Sequence, residues 1–407
     1  MHVGKNLRRV AEQHGFRMAF QNFNEALKKG DINAKRDISI REIAEGMLGH
    51  NWYSKLEAYA GQRRVSGVRE GRIVSATEGA STEAVDASAF ADITGQLLVN
   101  EVKQGYESAD LVGDELVETI PITNGNLGPQ RTPWLSQVVD DASTIQPGMP
   151  YPKTQFTQQY IDYPAPEKFG EICAVTMEAI YSDLTSQIYD SANSVGRRVG
   201  INREERILKI VLGISNNHSW NGSSYNTYQT STPWINVKSS NPITDWTHIN
   251  ELEYLFMNMV DPVTGKAIMV KPEWMLVMPY KYYTHKRILT ATDVRTGDGA
   301  STTMVTYAPT PLETNYKLIR SQFAFNLLTL ASASGGGGIT AANAKEYAYF
   351  GSKKAFVWRQ AEPMTVVEAP TGNPMEFNQD IALAVKARCW GVAAVRDPRY
   401  VVKSYNS

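Results

Sequence analysis

The chain has 407 residues, enough for two or three domains or for one elaborated domain. Hydrophobic residues make up 42% of it and charged residues 20%, a balance that excludes wholesale disorder. The net charge of -1 argues against a general nucleic-acid binder, because such proteins are usually basic.

The near-zero total hides two blocks of opposite charge. Residues 1–75 contain 14 Lys and Arg against 8 Asp and Glu, whereas residues 76–141 contain 2 against 12. The blocks are explained either as two solvated surfaces or as a basic N-terminal arm that meets an acidic partner, nucleic acid or another copy. The basic block includes Lys28, Lys29, Lys35, Arg36, Arg63 and Arg64, and the acidic block includes Asp110, Asp114, Glu115 and Glu118.

The first 120 residues alternate between helical and linker patterns. Residues 1–60 are predicted to be mainly helical, with one helix around Ile43 and Leu48. Residues 61–88 have little apolar content and are predicted to be an extended linker or arm. Apolar spacings of three and four residues then predict a helix from Phe90 to Tyr106.

Residues 121–170 contain many prolines, which exclude a central sheet strand. Short polar–apolar alternations between the prolines favour a long two-stranded excursion that stands off the body of the protein.

A long helix is predicted next. Thr176 is a good N-cap, Glu178 lies in the favourable first turn, and the apolar stripe continues to Ile214. A helix of up to about 39 residues without heptads favours a backbone on which other elements pack, with a break near Gly200.

The second half of the chain mixes strands and helices without repeating βαβ units, which predicts an α+β fold. Residues 215–245 are predicted to be a polar loop, residues 290–311 another loop, and the C-terminal part from Ala355 onward β-rich. Asp245 or Thr244 is expected to cap a helix. A buried strand is expected over residues 274–278, before Pro279.

No motif indicates catalysis, a metal or a cofactor. The chain has no phosphate-binding loop, no His-Glu-x-x-His and no Gly-x-Ser-x-Gly. Gly335 to Gly338 lack the Lys and hydroxyl that phosphate binding needs, and are predicted to be an exposed, flexible loop tip. The two cysteines, Cys173 and Cys389, cannot build a disulfide framework and fit a reducing cytoplasm. The apolar run 323–333 is too short to span a membrane, so no membrane partner is expected.

Aromatic residues make up 10% of the chain, and many fall outside the helical stripes. Tyr and Trp bury large areas while keeping a polar end, and they are enriched where subunits meet. The arm, the proline-rich excursion and these loops cannot all fold onto one core, so other copies are expected to cover them. The candidate intersubunit contacts are Tyr151, Phe156, Tyr160, Tyr163, Trp220 and Trp234.

Three stretches carry a resemblance to a known family. These are residues 168–180 (KFGEICAVTMEAI), residues 274–279 (WMLVMP), and residues 377–388 (FNQDIALAVKAR) followed by 391–398 (GVAAVRDP). In this order they resemble the major capsid proteins of tailed bacteriophages, which have the Hong Kong 97-type fold. Phe90 to Gly95 and Tyr106 resemble the N-arm region of some members.

The resemblance implies an α+β, Hong Kong 97-type capsid fold in four parts. They are an N-terminal arm (1–124), an extended loop (125–170), a peripheral domain with a long spine helix (171–245 and 361–407) and an axial domain (246–360). The implied function is structural, without enzymatic activity or cofactor: copies assemble through hexamers and pentamers into an icosahedral head around double-stranded DNA.

The resemblance also implies partners. Portal and scaffolding proteins and a decoration protein are expected besides other copies, with assembly in the host cytoplasm and residence in the virion head. The basic residues of the arm are expected on the inner face, near DNA or scaffold. Some family members form Lys–Asn crosslinks between subunits, for which the candidates here are Lys153, Lys168, Asn373, Glu376 and Asn378.

Three alternatives remain at this point. An encapsulin-type compartment resembles the same fold but encloses enzymes. A hydrolase using Cys173 or Cys389 would require a small oligomer with a concave pocket. A nucleic-acid adaptor acting through residues 1–75 would bind DNA in a salt-dependent manner.

Overall fold

A computed structural model describes most of the chain from residue 39 onward. The described residues are 39–48, 52, 81–109, 111–123, 127–135, 145, 158–290, 293–297, 305–309, 316–369 and 381–406. They form two compact units: the described residues within 1–110, 168–202 and 364–389 belong to the first unit, and those within 111–167, 203–363 and 390–407 to the second. The predicted division into an arm, a loop and two domains stays a prediction.

Helices and strands are mixed along the chain, which confirms the predicted α+β class. The helices are α1 (Ile40–Leu48), α2 (Ser81–Glu107), α3 (Gly113–Leu116), α4 (Met177–Tyr181), α5 (Thr185–Val211), α6 (Trp246–Met257), α7 (Tyr282–Thr290), α8 (Gln322–Thr329) and α9 (Ala341–Ala344). None of these described helices is both long and apolar enough to cross a membrane.

The described strands are β1 (Glu118–Pro121), β2 (Gln130–Leu135), β3 (Gln158–Tyr163), β4 (Glu167–Thr176), β5 (Asn217–Trp220), β6 (Ser223–Asn226), β7 (Val237–Lys238), β8 (Trp274–Val277), β9 (Asp293–Gly297), β10 (Val305–Pro309), β11 (Lys317–Arg320), β12 (Ala348–Gly351), β13 (Phe356–Glu368), β14 (Ile381–Val395) and β15 (Val401–Ser404). These strands form four sheets, with the orders β1-β13-β14-β4, β9-β10, β11-β8-β12-β15-β7 and β2-β3-β5-β6.

In the first unit, α2 and α5 approach each other closely at two glycines. A Cβ at Gly105 would overlap the carbonyl of Asn193, and a Cβ at Gly196 would overlap the carbonyl of Val102. Only glycine permits such close backbone contact between helices, so these two positions fix how α2 packs on α5.

The long predicted helix is divided, but not at Gly200. Thr176 caps α4 by accepting a hydrogen bond from the Ala179 amide, as expected. The break lies between Tyr181 and Thr185, where Asp183 has a φ of 52°. Asp and Asn tolerate this left-handed conformation better than most residues, and the helix then continues through Gly200 to Val211.

The interruption also anchors α1. The Asp183 carboxylate accepts hydrogen bonds from the Ser39 hydroxyl (2.6 Å) and the Thr185 hydroxyl (2.9 Å). The Ile40 amide donates to Thr185 Oγ1 at 3.1 Å, so the start of α1 is held at the start of α5.

The second unit has a core built from its five-stranded sheet and α6. All four residues of β8 are buried, as the sequence predicted, and β8 lies between β11 and β12. Asp245 caps α6, and Ile249, Leu252 and Phe256 are buried on one face of that helix.

The proline-rich excursion does begin as an antiparallel pair, β2 with β3. Its base does not stand off the body, because β3 also pairs with β5 and Ile161 is buried in the core of the second unit. Pro133 lies on β2, the edge strand, where a missing amide breaks no ladder.

Three segments predicted to be irregular or linker carry regular structure. Residues 215–245 contain the hairpin β5–β6, which turns at Asn221 and Gly222, both with positive φ. Residues 290–311 contain the pair β9–β10, and helix α2 begins at Ser81, inside the expected linker.

Gly335 to Gly338 form a hydrogen-bonded turn rather than a flexible tip. The Gly337 amide donates to the carbonyl of Leu327 (2.9 Å) and the Gly338 amide to that of Leu330 (2.8 Å). These bonds satisfy carbonyls at the C-terminus of α8. Gly335, with a positive φ, ends the short 3-10 helix Ser332–Ser334, a position that favours glycine.

Candidate functional site

Exposed apolar side chains are concentrated in one segment of the second unit, residues 254–283, called here the apolar segment. Among the described residues, Met269 is 97% exposed and Met257 75% exposed. Large exposed apolar groups of this kind mark protein contacts, for which Met and aromatic residues are favoured. The segment also exposes Tyr254, Val260, Val263, Tyr280 and Tyr283.

A buried ionic cluster holds the turn inside this segment. The Arg399 guanidinium donates to Asp397 Oδ2 at 2.7 Å and to Asp261 Oδ2 at 3.3 Å. The other oxygen of Asp261 accepts the amides of Val263 (2.9 Å) and Thr264 (3.3 Å). The apolar residues of the turn are therefore presented on a rigid backbone.

The same cluster reaches the base of the β2–β3 pair. The Trp134 indole N–H donates to Asp397 Oδ2 at 3.1 Å, and the Arg399 guanidinium lies 4.0 Å from the centre of the Trp134 ring. Hence one arginine fixes the turn of the apolar segment and the strand that enters the proline-rich excursion.

The acidic block is partly neutralised within the chain. Asp114 forms an ion pair with Arg203, Glu115 with Lys317 (2.5 Å) and Glu118 with Arg396. The Lys353 ammonium also donates to the carbonyl of Asp114 at 3.1 Å. These contacts account for three acidic residues, and Asp110 lies outside the described residues.

Three of the predicted intersubunit aromatics pack inside the second unit. Trp220 lies 5.2 Å from Trp134 and 5.7 Å from Trp234, both in edge-to-face geometry, and Tyr163 is buried in the same core. For residues 215–245 the expectation that these loops could not fold onto one core is therefore corrected: Trp220, at the end of β5, and Trp234, between β6 and β7, both lie in it. Contact of these residues with another subunit stays a prediction.

Tyr160 is only partly buried, and the Arg131 guanidinium lies 4.4 Å from the centre of its ring. Its contact with another subunit stays a prediction, as does a crosslink at the described, exposed Lys168. The other candidates lie outside the described residues: Tyr151, Phe156, Lys28, Lys29, Lys35, Arg36, Arg63, Arg64, Lys153, Asn373, Glu376 and Asn378.

The described residues give little support to thiol or metal chemistry. Cys173 and Cys389 are both buried and form no disulfide, and burial raises the pKa of the Cys173 thiol, which disfavours the nucleophilic thiolate. No group of three His, Cys, Asp or Glu side chains in the described part of the chain could hold a metal ion.

Sequence reasoning missed both the apolar segment and the Asp261–Asp397–Arg399 cluster. A usable signal existed for the first, because Met257 and Tyr254 fall off the buried stripe of α6. The sequence contains no such signal for the ionic cluster, because Asp261 and Arg399 are 138 residues apart.

Among solved structures, the chain is similar to the capsid of the cyanophage P-SCSP1u, with 10% identity over 84% of this chain and 92% of that one, at a TM-score of 0.47. It is also similar to the head of the Helicobacter pylori bacteriophage KHP40, with 12% identity over 71% and 86% of the two chains and a TM-score of 0.46. A virus-like particle from Pyrococcus furiosus matches with 11% identity over 76% and 98%, at a TM-score of 0.37. No curated protein sequence matches the chain.

The model of one protein family, described as phage capsid protein, matches residues 162–404. This match covers more than half of the chain and confirms the prediction of a phage capsid protein. The chain belongs to the phage capsid protein family and is a structural subunit of the virion capsid.

Proposed function

We propose that copies of this chain assemble through hexamers and pentamers into a closed icosahedral head that encloses double-stranded DNA. The observation that carries the proposal is the apolar segment, because a monomer rarely leaves so many large apolar side chains in water. Contact between copies would cover them, and closed shells are built from such repeated contacts.

The rigid turn supports this role. A surface that is already ordered loses little conformational entropy when a second copy binds, so the buried Asp261–Arg399 contact favours association at Val263 and its neighbours. Within the proposal the apolar segment belongs to the axial domain, residues 246–360, and axial domains meet at the centre of each capsomer.

The remaining partners follow from the same proposal. A scaffolding protein and a portal protein would guide assembly in the host cytoplasm, and a decoration protein is a further candidate partner. The basic residues between Lys28 and Arg64 would face the interior, where they contact DNA phosphates without sequence preference.

The test uses the full-length chain, expressed alone and with its neighbouring genes, and compares the wild type with two double variants. Met257→Glu with Met269→Glu places charge on the apolar segment and is expected to reduce the yield of closed particles at least tenfold, because burying an unpaired carboxylate is costly. Met257→Leu with Met269→Leu keeps the surface apolar and is expected to assemble normally. Sedimentation and negative-stain electron microscopy measure the particles.

A normal particle yield from the glutamate variant would show that the apolar segment is not part of the proposed interface. Nuclease treatment of wild-type particles then tests the contents: protected double-stranded DNA supports the phage head. Particles that hold only protein cargo would instead favour the encapsulin-type alternative.

A further inference from the structure

Residues 111–121 form a strap that crosses the second unit and contains α3 and β1. The strap begins where the chain enters this unit, and it ends shortly before β2. Among the described contacts, its acidic side chains pair with Arg203 of α5, Lys317 of β11 and Arg396, which directly follows β14. Three separate parts of the unit therefore hold one short segment through charge.

Two of these three ion pairs are largely open to solvent, whereas the Arg203 side chain, which pairs with Asp114, is only 10% exposed. The Lys317 side chain is 63% exposed, and Glu115, Glu118 and Arg396 are each more than a third exposed. Exposed pairs contribute little individually and are screened by salt, so salt weakens the ionic part of the attachment. The buried side chains of Leu116 and Val117 and the pairing of β1 with β13 also hold the strap, and these contacts do not depend on salt.

A buried carboxylate adds a second kind of attachment. Glu204 of α5 accepts the Val112 amide at 3.1 Å and the Gly113 amide at 2.9 Å, and its side chain is almost fully buried. The charged groups that face it are Arg203 on its own helix and Asp114 on the strap. Glu204 thereby caps α3 from a position 91 residues away in sequence.

Gly113 is required for this contact. A Cβ at residue 113 would lie 2.6 Å from Glu204 Oε2 and 3.0 Å from Ile207 Cδ1. The carboxylate can approach the strap amides only because no side chain stands at this position.

From these contacts we propose that residues 111–121 are a releasable strap, which detaches from the second unit as ionic strength rises and as Glu204 becomes charged. Detachment uncovers the edge of β13 at residues 357–360, with which β1 pairs in parallel, and frees the chain that leads into β2. Release of the strap is a property of the single chain and does not depend on the proposed shell.

The direction of the pH dependence follows from linkage. Burial raises the pKa of Glu204 to about 6, an effect opposed by the two strap amides and Arg203 and reinforced by Asp114. When the strap detaches, Glu204 is hydrated and its pKa falls toward the ordinary 4.5. The closed strap therefore binds the proton more tightly, so acid favours closure and rising pH favours release.

The test is amide hydrogen exchange in the full-length chain, with each rate divided by the intrinsic chemical rate at the same pH. Exchange of the Val112 and Gly113 amides measures opening of the strap directly, because both amides donate to Glu204 in the closed strap. Between pH 5 and pH 8 the opening equilibrium is expected to rise on the order of tenfold, from the difference between the two pKa values. Raising the salt from 50 to 500 mM is expected to increase opening about threefold to tenfold.

Two variants separate the contribution of Glu204, which depends on pH, from that of the ion pairs, which depends on salt. Glu204→Gln keeps an acceptor for a strap amide but cannot titrate, so the pH dependence is expected to vanish while the salt dependence remains. Glu205→Gln changes the adjacent residue, which pairs with Lys209 and not with the strap, and should leave both dependences as in the wild type. A pH dependence that persists in Glu204→Gln overturns the role of Glu204. Exchange at Val112 and Gly113 that is insensitive to both salt and pH overturns the strap.

Discussion

The second unit contains two ionic clusters that share the same chemistry and differ in their surroundings. In the first, Arg399 lies between Asp397 and Asp261, and all three side chains are less than 10% exposed. In the second, the cations hold the strap from the surface, and most of the paired groups remain in water. The comparison shows what burial adds to an ion pair.

Burial makes the first cluster a fixed structural part. Asp397 accepts the backbone amide of Arg399 (3.0 Å), the Arg399 guanidinium and the Trp134 indole, so its oxygens are fully hydrogen-bonded. A desolvated charge is tolerated only with such complete pairing, and its neighbours then cannot move without exposing it. The exposed strap pairs of Lys317 and Arg396 have no such requirement, because water can replace each partner.

The two clusters thus suit different tasks in a shell subunit. The buried cluster keeps one geometry for the turn of the apolar segment, which every repeated contact between copies would need. The solvated pairs can be weakened by salt without leaving a buried charge unpaired, so the ionic part of the strap's attachment is adjustable. A shell built from one sequence in non-identical positions requires both rigid contacts and adjustable segments.

The largest expected effect comes from breaking the buried cluster. Arg399→Leu removes the cation and leaves Asp397 and Asp261 buried without their partner, which is expected to destabilise the second unit by about 3–5 kcal/mol. The measurement is the denaturation temperature of the full-length chain together with its urea midpoint. Arg396→Leu, the matched control from the strap cluster, is expected to cost less than about 1 kcal/mol.

Similar losses of stability in both arginine variants would contradict the comparison, because burial would then have no influence on the free energy that an ion pair contributes. Stability of Arg399→Leu at the wild-type level would show that the turn at Asp261 is held by its backbone contacts alone.

An intermediate effect is expected when the strap loses its buried attachment. Gly113→Ala would push the Glu204 carboxylate away from the two strap amides, at a cost of about 1 kcal/mol for the lost hydrogen bonds. Amide exchange at residues 112 and 113 should then accelerate several-fold, while the core strand β8 is unaffected. Val112→Ala, which leaves the space at residue 113 open, serves as the control and should change exchange much less.

The sequence was informative where structure is local. The caps at Thr176 and Asp245 and the buried strand β8 are confirmed, because capping and apolar spacing act between residues close in the chain. The hairpin β5–β6 was missed although Asn221-Gly222 is a strong turn signal. The polar composition of residues 215–245 is typical of a loop, and it masks the signal of that dipeptide.

The ionic contacts could not be predicted in the same way. The strap carboxylates and their partners are separated by 89 residues for Asp114 and Arg203, and by 278 for Glu118 and Arg396. A count of charges identifies the acidic block but not the residues with which it pairs. Only the folded arrangement shows that part of it is neutralised within the chain.

The smallest expected effect isolates one exposed pair of the strap. Lys317→Gln removes the partner of Glu115 and is expected to weaken strap closure by less than about 0.5 kcal/mol, since the lysine is well solvated. Exchange at residues 112–116 should rise less than threefold at 50 mM salt and not at all at 500 mM, where screening already weakens the pair. The double variant with Glu115→Gln should be no weaker than the single one, because the interaction is already absent. An effect of Lys317→Gln that persists at high salt would show that this lysine acts by packing rather than by charge, and would reduce the number of ionic contacts that release the strap.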